Sequence, residues 1–440
     1  MFRVSILVSA TISIVLLCTE SSAKDEELIR ANNEFASRFY QVLTWENKDE
    51  DFIFCPLCIT TTMAMLSLGS NRVTTKDIYT TIGFPRNETA VLEGYQRLVE
   101  VFSEQVKPTR SMFNGMFVSN SVEVEPDFQN KLEKYFHSRI HYLNPKVKRN
   151  TQILKAIQKQ LNKTNVGSDE SDYEDETMKY MKVMALGSNA SEFEINLANY
   201  LDFKAGWEKK FDLLNTKPEP FYVNSSEILI VNTMQQTGHY FMTPVPELDA
   251  QAISIPYLLC DGLKLSTPSF NRTLRSKPRK KLKTCKSGVK DSRLQMIVLL
   301  PNSQDGLRAM ERKFTRQTLL SIPARFDYKT YLDLRIPRFQ MVSKKNVADL
   351  ASTLLENEEQ QDYNNLSKTS SLHLGRAFHR VSITVNERGS RTKSSLLKGK
   401  NPWTHPKIVR VDRPFLAFIH DKKTDVILIV MRVIRPRSVD

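Results

Sequence analysis

The chain has 440 residues, of which 40% are apolar and 9% aromatic, and its net charge is +14. This length allows one large hydrophobic core or two ordinary ones. The apolar content excludes an intrinsically disordered chain.

The first 23 residues are typical of a secretory signal peptide. Arg3 supplies the positive start, residues 4–17 form an apolar run, and the small residues Ser21 and Ala23 precede a cut at Lys24. A membrane span is the alternative, but the apolar run is shorter than a bilayer requires. We therefore expect a secreted, extracellular protein without a membrane span.

Helices are predicted in the first half of the mature chain. The segment "EELIRANNEFASRFYQVL" places Leu28, Ala31, Phe35, Phe39 and Val42 on one helical face. The segment "PLCITTTMAMLSLGS" (56–70) predicts a mostly buried helix, with its proline in the first turn. A third amphipathic helix is predicted from apolar residues at 153, 154, 157 and 161.

Strands predominate later in the chain. They are predicted in "ILIVNTM" from Ile228, "LQMIVLL" from Leu294, "YLDLRIPRF" from Tyr331 and "VILIVMRVI" from Val426. Neither an internal repeat nor a linker between two cores is visible. Helices followed by strands indicate a single α+β domain, at residues 24–440, with mostly antiparallel sheets.

Two polar blocks of opposite charge interrupt this pattern. The segment "SDESDYEDET" (168–177) has six acids and no base, and it lies in an acidic insertion at about 166–190. Residues 261–293 hold eleven Lys or Arg and two Asp, a net charge of +9, and they belong to a basic insertion at about 258–293. Both blocks lack hydrophobic periodicity, so we expect them to be solvated excursions from the core.

Glycosylation and cysteine usage agree with secretion. Cys18 is removed with the signal peptide, and four cysteines are too few for a disulfide scaffold in a chain of this length. Six Asn-x-Ser/Thr sequons predict a glycoprotein. They begin at Asn87, Asn162, Asn189, Asn224, Asn271 and Asn365.

The sequence contains no enzymatic signature. The seven histidines are scattered, and H-E-x-x-H, G-x-S-x-G and a glycine-rich phosphate loop are all missing. Cys55-Pro-Leu-Cys58 could form a disulfide or carry a low-pKa thiolate at the start of a helix. The apolar flanks favour two buried thiols that act as small core side chains, and no βαβ pattern supports a redox site. We predict no catalytic residue, metal or cofactor.

Several segments, in order from about Glu26 to Pro436, resemble the serpin family. They are "FIFCPLCITTTMAMLSLGS", "NYLDFKAGW", "VNTMQQTGHYF", "ELDAQAISIPY", "FHRVSITVNERGS", "VDRPFLAFI" and "VILIVMRVIRP". The resemblance implies a serpin fold with three mostly antiparallel β-sheets, about eight or nine surrounding helices and an exposed reactive-centre loop at about 387–411. It also implies a suicide-substrate mechanism, in which a protease cleaves this loop and the freed segment enters the main sheet as a new strand.

The hinge of that loop can be tested for its ability to insert. A strand that enters a covered sheet buries alternate side chains. Under the resemblance the hinge comprises Glu387, Arg388, Gly389, Ser390, Thr392 and Ser394. On the family's pattern, Ser390, Thr392, Ser394 and Leu396 would face inward in an inserted strand, whereas Arg391, Lys393, Ser395 and Leu397 would face outward. Inhibitory serpins usually have small alanine-like residues here, and "TKSS" departs from that pattern. Lys398 and Lys400 would also face inward, where burial of an unpaired ammonium is costly.

The spacing from Gly389 to Phe415 equals the usual spacing in the family, which implies a scissile bond at Trp403–Thr404. Trp403 before the cut suits a chymotrypsin-like protease. The alternative interpretation of Trp403 is an ordinary exposed loop aromatic. The competing bond, Lys400–Asn401, suits a trypsin-like protease.

The resemblance also assigns residues that gate the main sheet. Asn199 and His379 match two residues of the family's shutter, a hydrogen-bonded cluster beneath the sheet, and Trp207 matches the tryptophan of the breach at its top. Cys55 and Cys58 replace the two shutter serines. Because a thiol is a weak donor and acceptor, we expect a looser network. His379 could otherwise be an ordinary core histidine.

The basic insertion provides two further predictions. Cys260 and Cys285 could form a disulfide that closes it, although two free thiols are the alternative. Arg279, Lys280, Lys281 and Lys283 predict a site for heparin-like glycans; a solvated loop, or one neutralised by the acidic block, is the alternative. Nucleic acid is disfavoured as a ligand because the protein is predicted to be secreted, and because no aromatic side chain lies among these basic residues to stack on nucleobases.

The leading functional hypothesis is a secreted, monomeric inhibitor of extracellular serine endopeptidases, acting through residues 387–404. The alternative is a non-inhibitory serpin that binds or carries a ligand. The loop length and "VNERG" favour the first hypothesis, whereas the hinge and shutter departures favour the second.

Overall fold

The described part of this computed structural model comprises residues 25–104, 110–143, 194–203, 205–257, 293–346, 362–367, 372–387 and 405–437. The predicted signal peptide, the helix predicted near residues 153–161, the acidic insertion and nearly all of the basic insertion lie outside these residues. No helix among the described residues is long and apolar enough to cross a bilayer.

The described residues contain seven α-helices. They are α1 (25–46), α2 (Pro56–Gly69), α3 (Arg72–Ile82), α4 (Glu88–Glu104), α5 (Pro126–Phe136), α6 (Leu307–Lys313) and α7 (Arg316–Ser321). The predicted apolar face of α1 is confirmed, because Leu28, Ala31, Phe35 and Phe39 are all buried and Val42 is partly buried.

Helix α2 is buried on nearly all sides, as predicted. It contacts β4 (Glu194–Phe203) and β14 (Val426–Val433), which belong to two different sheets, and so lies in the core between them. Its threonines tolerate this position because Thr61 and Thr62 donate their hydroxyls to carbonyl groups one turn earlier, at 2.6 and 2.9 Å.

Fourteen strands are described. The remaining twelve are β1 (Phe52–Phe54), β2 (Arg110–Ser119), β3 (Ile140–Leu143), β5 (Lys217–Tyr222), β6 (Ile228–Val245), β7 (Ala250–Pro256), β8 (Leu294–Pro301), β9 (Lys329–Pro337), β10 (Phe339–Asn346), β11 (His373–Val385), β12 (Lys407–Arg410) and β13 (Phe415–Asp421). The strands predicted from Ile228, Leu294, Tyr331 and Val426 are confirmed.

The predicted α+β class is confirmed, but these strands form two sheets rather than three. One sheet has nine strands, in the order β1-β14-β13-β8-β7-β6-β9-β12, with β5 also paired to β6. The other, the main sheet, has five strands in the order β10-β11-β4-β2-β3. The 18-residue strand β6 explains the difference, because it pairs with β7 at one end and with β9 and β5 towards the other. It thereby joins two groups of strands into one sheet.

Candidate functional site

The centre of the main sheet is a parallel pair formed by β4 and β11. These strands are adjacent and in register from Ala377 opposite Leu197 to Ile383 opposite Phe203. The described chain therefore has no strand between them. Strand β11 leads directly to the predicted hinge. An entering strand would therefore have to fit between β4 and β11, at a junction that we call the β4–β11 boundary.

The predicted shutter residues meet beneath this boundary. His379 and Asn199 are register partners on β11 and β4, and both are buried. The backbone N–H of Cys55, just before α2, donates to His379 Nε2 at 3.1 Å. Because Nε2 accepts this bond, the ring proton lies on Nδ1 and is donated to the Asn199 side-chain oxygen.

Asn199 extends the network into α2. Its amide nitrogen donates to the carbonyl of Cys58 at 3.4 Å and to the hydroxyl of Thr62 at 2.9 Å. Thr62 was not identified in the sequence analysis. Its signal was available, since it lies one helical turn after Cys58 on a helix predicted to be buried.

Complete burial lowers the pKa of His379 from its ordinary value of 6.5 to about 3. Desolvation disfavours the imidazolium form. The geometry acts in the same direction, because a second ring proton on Nε2 would point at the Cys55 N–H. His379 is thus a neutral hydrogen-bonding side chain at physiological pH.

The favoured prediction of two separate buried thiols is wrong, because Cys55 and Cys58 form a disulfide. Both residues are 1% exposed, so their predicted burial is confirmed. Cys55 is the N-cap of α2, and the Cys58 N–H donates to its Sγ at 3.0 Å. The predicted shutter network therefore contains two backbone groups of a covalently closed helical turn, the Cys55 N–H and the Cys58 carbonyl, at the positions where the resemblance implies serine hydroxyls.

Trp207 lies at the other end of the pair. Its ring stacks on Tyr257 with the centroids 4.4 Å apart, and it is 2% exposed. Its Nε1–H donates to the carbonyl of Asn386 at 2.9 Å. Trp207, the predicted breach residue, thus connects the end of β11 to the segment that follows β4.

The predicted hinge begins at a buried carboxylate. Glu387 accepts a hydrogen bond from the Thr216 hydroxyl at 2.6 Å, and its other oxygen lies 3.5 Å from Arg338 Nε. The chain is described again from His405, and β12 follows it in parallel pairing with β9. The other hinge residues and both candidate scissile bonds lie outside the described residues. They are Arg388, Gly389, Ser390, Thr392, Ser394, Lys400, Asn401, Trp403 and Thr404.

Arg293, the last residue of the predicted basic insertion, is packed in the fold. Arg293 was assigned to a solvated excursion, yet its side chain is only 4% exposed and forms an ion pair with the buried Asp421, with Nε 2.9 and 2.7 Å from the two carboxylate oxygens. Arg293 therefore belongs to the fold. Cys260, Cys285 and the predicted glycan-binding residues Arg279, Lys280, Lys281 and Lys283 lie outside the described residues.

Three of the six sequons lie in described segments. Asn87 and Asn365 are exposed and Asn224 is partly exposed. The side chains of Asn87 and Asn224 accept backbone hydrogen bonds, from Ala90 and Glu227 respectively, and Asn365 donates to the carbonyl of Ser70. Asn162, Asn189 and Asn271 lie outside the described residues. No metal-binding cluster of His, Cys, Asp or Glu is present among the residues described.

Comparisons with known proteins cover almost the whole chain. A family model described as Serpin (serine protease inhibitor) matches residues 30–436. Alpha-1-antiproteinase of Bos taurus is 23% identical over 408 residues, which cover 91% of this chain and 86% of the relative. Corticosteroid-binding globulin of Pongo abelii is 23% identical over 416 residues, with coverages of 93% and 90%. The crystal structure of human thyroxine-binding globulin gives a TM-score of 0.74 at 19% identity, with coverages of 94% and 100%.

Proposed function

This chain belongs to the serpin family, and from that membership we propose that it is a secreted, suicide-substrate inhibitor of extracellular serine endopeptidases. In the proposed reaction a protease cleaves within residues 387–404, and the part of the loop still attached to β11 enters the main sheet between β11 and β4. The acylated protease is carried along with it.

The observation that supports this proposal most directly is the adjacent, parallel pairing of β4 and β11. A segment that continues from β11 and reverses direction would run antiparallel to both strands. It could therefore hydrogen-bond to both, and the backbone bonds lost between β4 and β11 would be replaced by two new ladders. The hinge begins at Glu387, two residues after β11 ends, so the entering segment would start at the correct edge.

Secretion belongs to the same proposal. Asp25, at the start of α1, accepts hydrogen bonds from Arg97 Nε at 3.0 and 2.9 Å. Removal of residues 1–23 would leave this contact and α1 intact. N-terminal sequencing of the secreted protein should begin at Lys24; retention of residues 1–23 in the exported protein would contradict a cleaved signal.

The test of inhibition is incubation with chymotrypsin and with trypsin, followed by denaturing gel electrophoresis. We expect a covalent complex with chymotrypsin, because Trp403 suits its wide apolar pocket. Trp403→Lys should shift complex formation to trypsin, and Lys400→Ser is the matched control at the competing bond. Mass spectrometry that maps the first cleavage outside residues 397–404 would show that the scissile bond is misplaced.

A non-inhibitory binding or carrier protein is the second candidate. Two relatives reported above are named as binding globulins, for corticosteroid and for thyroxine. The "TKSS" sequence of the predicted hinge, and the two lysines predicted to face inward after insertion, also favour this function. It predicts that loop cleavage yields no covalent complex with either protease and no increase in melting temperature.

A further inference from the structure

Polar side chains also bridge β4 and β11 on the outer face of the main sheet, opposite α2. Ser382 and Asp202 are direct register partners, and the Ser382 hydroxyl donates to Asp202 Oδ1 at 2.7 Å. Ser382 is 0% exposed and Asp202 is 7% exposed. A buried carboxylate is thus hydrogen-bonded across the boundary that the proposed insertion would open.

A second contact lies two residues away on the same face. The Arg380 guanidinium lies 5.4 Å from the centroid of the Tyr200 ring, and these residues are also register partners. Both side chains are buried. The His379–Asn199 bond lies on the opposite face, so side-chain contacts connect the two strands on both faces of the sheet.

Insertion of a strand would break these side-chain contacts between β4 and β11. Adjacent strands lie about 4.8 Å apart, so a strand inserted between β4 and β11 would move them to roughly 10 Å apart. A 2.7 Å hydrogen bond between their side chains cannot survive this separation. The outer-face carboxylate would lose the serine hydroxyl, and a buried carboxylate that loses a donor destabilises the opened state.

We propose that Asp202 and Ser382 form a latch across the β4–β11 boundary and limit the rate at which a strand enters the main sheet. The proposal rests on the proposed function for the identity of the opening boundary. It assigns to two particular residues a role that neither the shutter nor the hinge performs. These are positioning residues, because they hold the two strands together and contact neither the protease nor the cleaved bond.

Uptake of a synthetic peptide by the full mature chain provides the first test. The peptide has the sequence of residues 389–397, and its incorporation is followed by native gel electrophoresis and by the rise in melting temperature. Ser382→Ala removes only the hydroxyl and should accelerate uptake by about tenfold, which corresponds to about 1.4 kcal/mol of activation free energy. Uptake at the wild-type rate would overturn the latch.

The matched control is Ser254→Ala. Ser254 is also a buried strand serine, and its hydroxyl donates to Gln295 Oε1 at 2.6 Å, but in the nine-stranded sheet. This variant loses a similar hydrogen bond and should keep the wild-type uptake rate. If Ser254→Ala accelerates uptake as much as Ser382→Ala, then general destabilisation explains the effect and the latch is wrong.

Hydrogen exchange gives a second readout that needs neither peptide nor protease. In Ser382→Ala the backbone amides of β4 and β11 should exchange faster than in the wild type, whereas those of β8 and β13 should not change. Equal exchange of β4 and β11 in both proteins would overturn the proposal. A failure to inhibit any protease would contradict the proposed function instead, and would leave this result unaffected.

Discussion

At the scale of single residues, the burial of His379 makes the stability of the folded protein depend on pH. The folded state keeps its imidazole neutral down to a pKa of about 3, whereas in the unfolded chain it has its ordinary pKa of 6.5. Between these values the unfolded state binds a proton that the folded state does not. The free energy of unfolding therefore falls as the pH is lowered from about 6.5 towards 3.

The corresponding prediction compares His379→Gln with the wild type in urea unfolding at pH 7, 6, 5 and 4. The wild type should lose up to about 1.4 kcal/mol of stability per pH unit more than the variant below pH 6.5. His405→Gln, at an exposed position, serves as the control and should follow the wild type. Parallel pH profiles for wild type and His379→Gln would show that His379 is protonated in the folded protein.

The Cys55–Cys58 disulfide closes a very short loop at the start of α2. In the chain-entropy model such a loop contributes about 2 kcal/mol, so the double variant Cys55→Ala, Cys58→Ala should lose about that much stability in urea unfolding.

Peptide mapping without reduction should recover Cys55 linked to Cys58, and Cys260 linked to Cys285. Alkylation of any of the four in the native secreted protein would contradict the corresponding bridge.

At the scale of elements, the predictability of each segment depended on whether its own side chains determine its structure. The apolar faces of α1 and α2 were visible in the sequence because helical periodicity is local. Strand β6 was recognised only at its start, because Thr237, Gly238 and His239 interrupt its apolar pattern; its pairing with β9 maintains the strand there. Two sheets instead of three follow from that pairing, which is not a local property.

The candidate site was predicted unevenly for the same reason. His379, Asn199 and Trp207 were identified through the family resemblance, since their contacts join segments that are distant in the sequence. The disulfide depends on the geometry of one helical turn. The spacing of Cys55 and Cys58 is compatible with both a disulfide and two free thiols, so it could not distinguish between them. Asp202 was overlooked, although a lone acid in "NYLDF" is an unusual residue for a buried strand.

The segment predicted to insert contains two lysines, Lys398 and Lys393, that are predicted to face opposite sides of the main sheet. They provide a test of insertion. Lys398 would face inward, and burying an unpaired ammonium costs several kcal/mol, whereas Lys393 would face outward. Replacing residues 392–395 with alanine, together with Lys398→Ala, should make the loop-cleaved protein melt well above the intact protein.

Single variants separate the contribution of the lysine predicted to face inward from that of the lysine predicted to face outward. Lys398→Ala alone should raise the melting temperature of the cleaved form, and Lys393→Ala should leave it nearly unchanged. Equal melting temperatures of cleaved and intact protein in all three variants would mean that the loop does not enter the main sheet.

At the scale of the whole molecule, charge is concentrated rather than dispersed. The net charge is +14, and residues 261–293 contribute +9 of it, while residues 168–177 carry six acids. Arg293 is part of the fold through its ion pair with Asp421, so the bases available for a ligand precede it. Arg279, Lys280, Lys281 and Lys283 form their densest group.

We therefore predict that this group binds heparin-like glycans mainly through charge. Exposed charges are screened over about 8–10 Å near physiological ionic strength, so binding should weaken steeply with added salt. On a heparin column the native chain should elute at higher salt than a variant in which Arg279, Lys280, Lys281 and Lys283 become serine. Replacing Arg312, Lys313, Arg316 and Arg325 near α6 and α7 with serine removes the same charge elsewhere and should cause a smaller shift. Elution of the first variant with the native chain would exclude the insertion as the glycan site. Elution of both variants at the same reduced salt would indicate that net charge, rather than this group, controls retention.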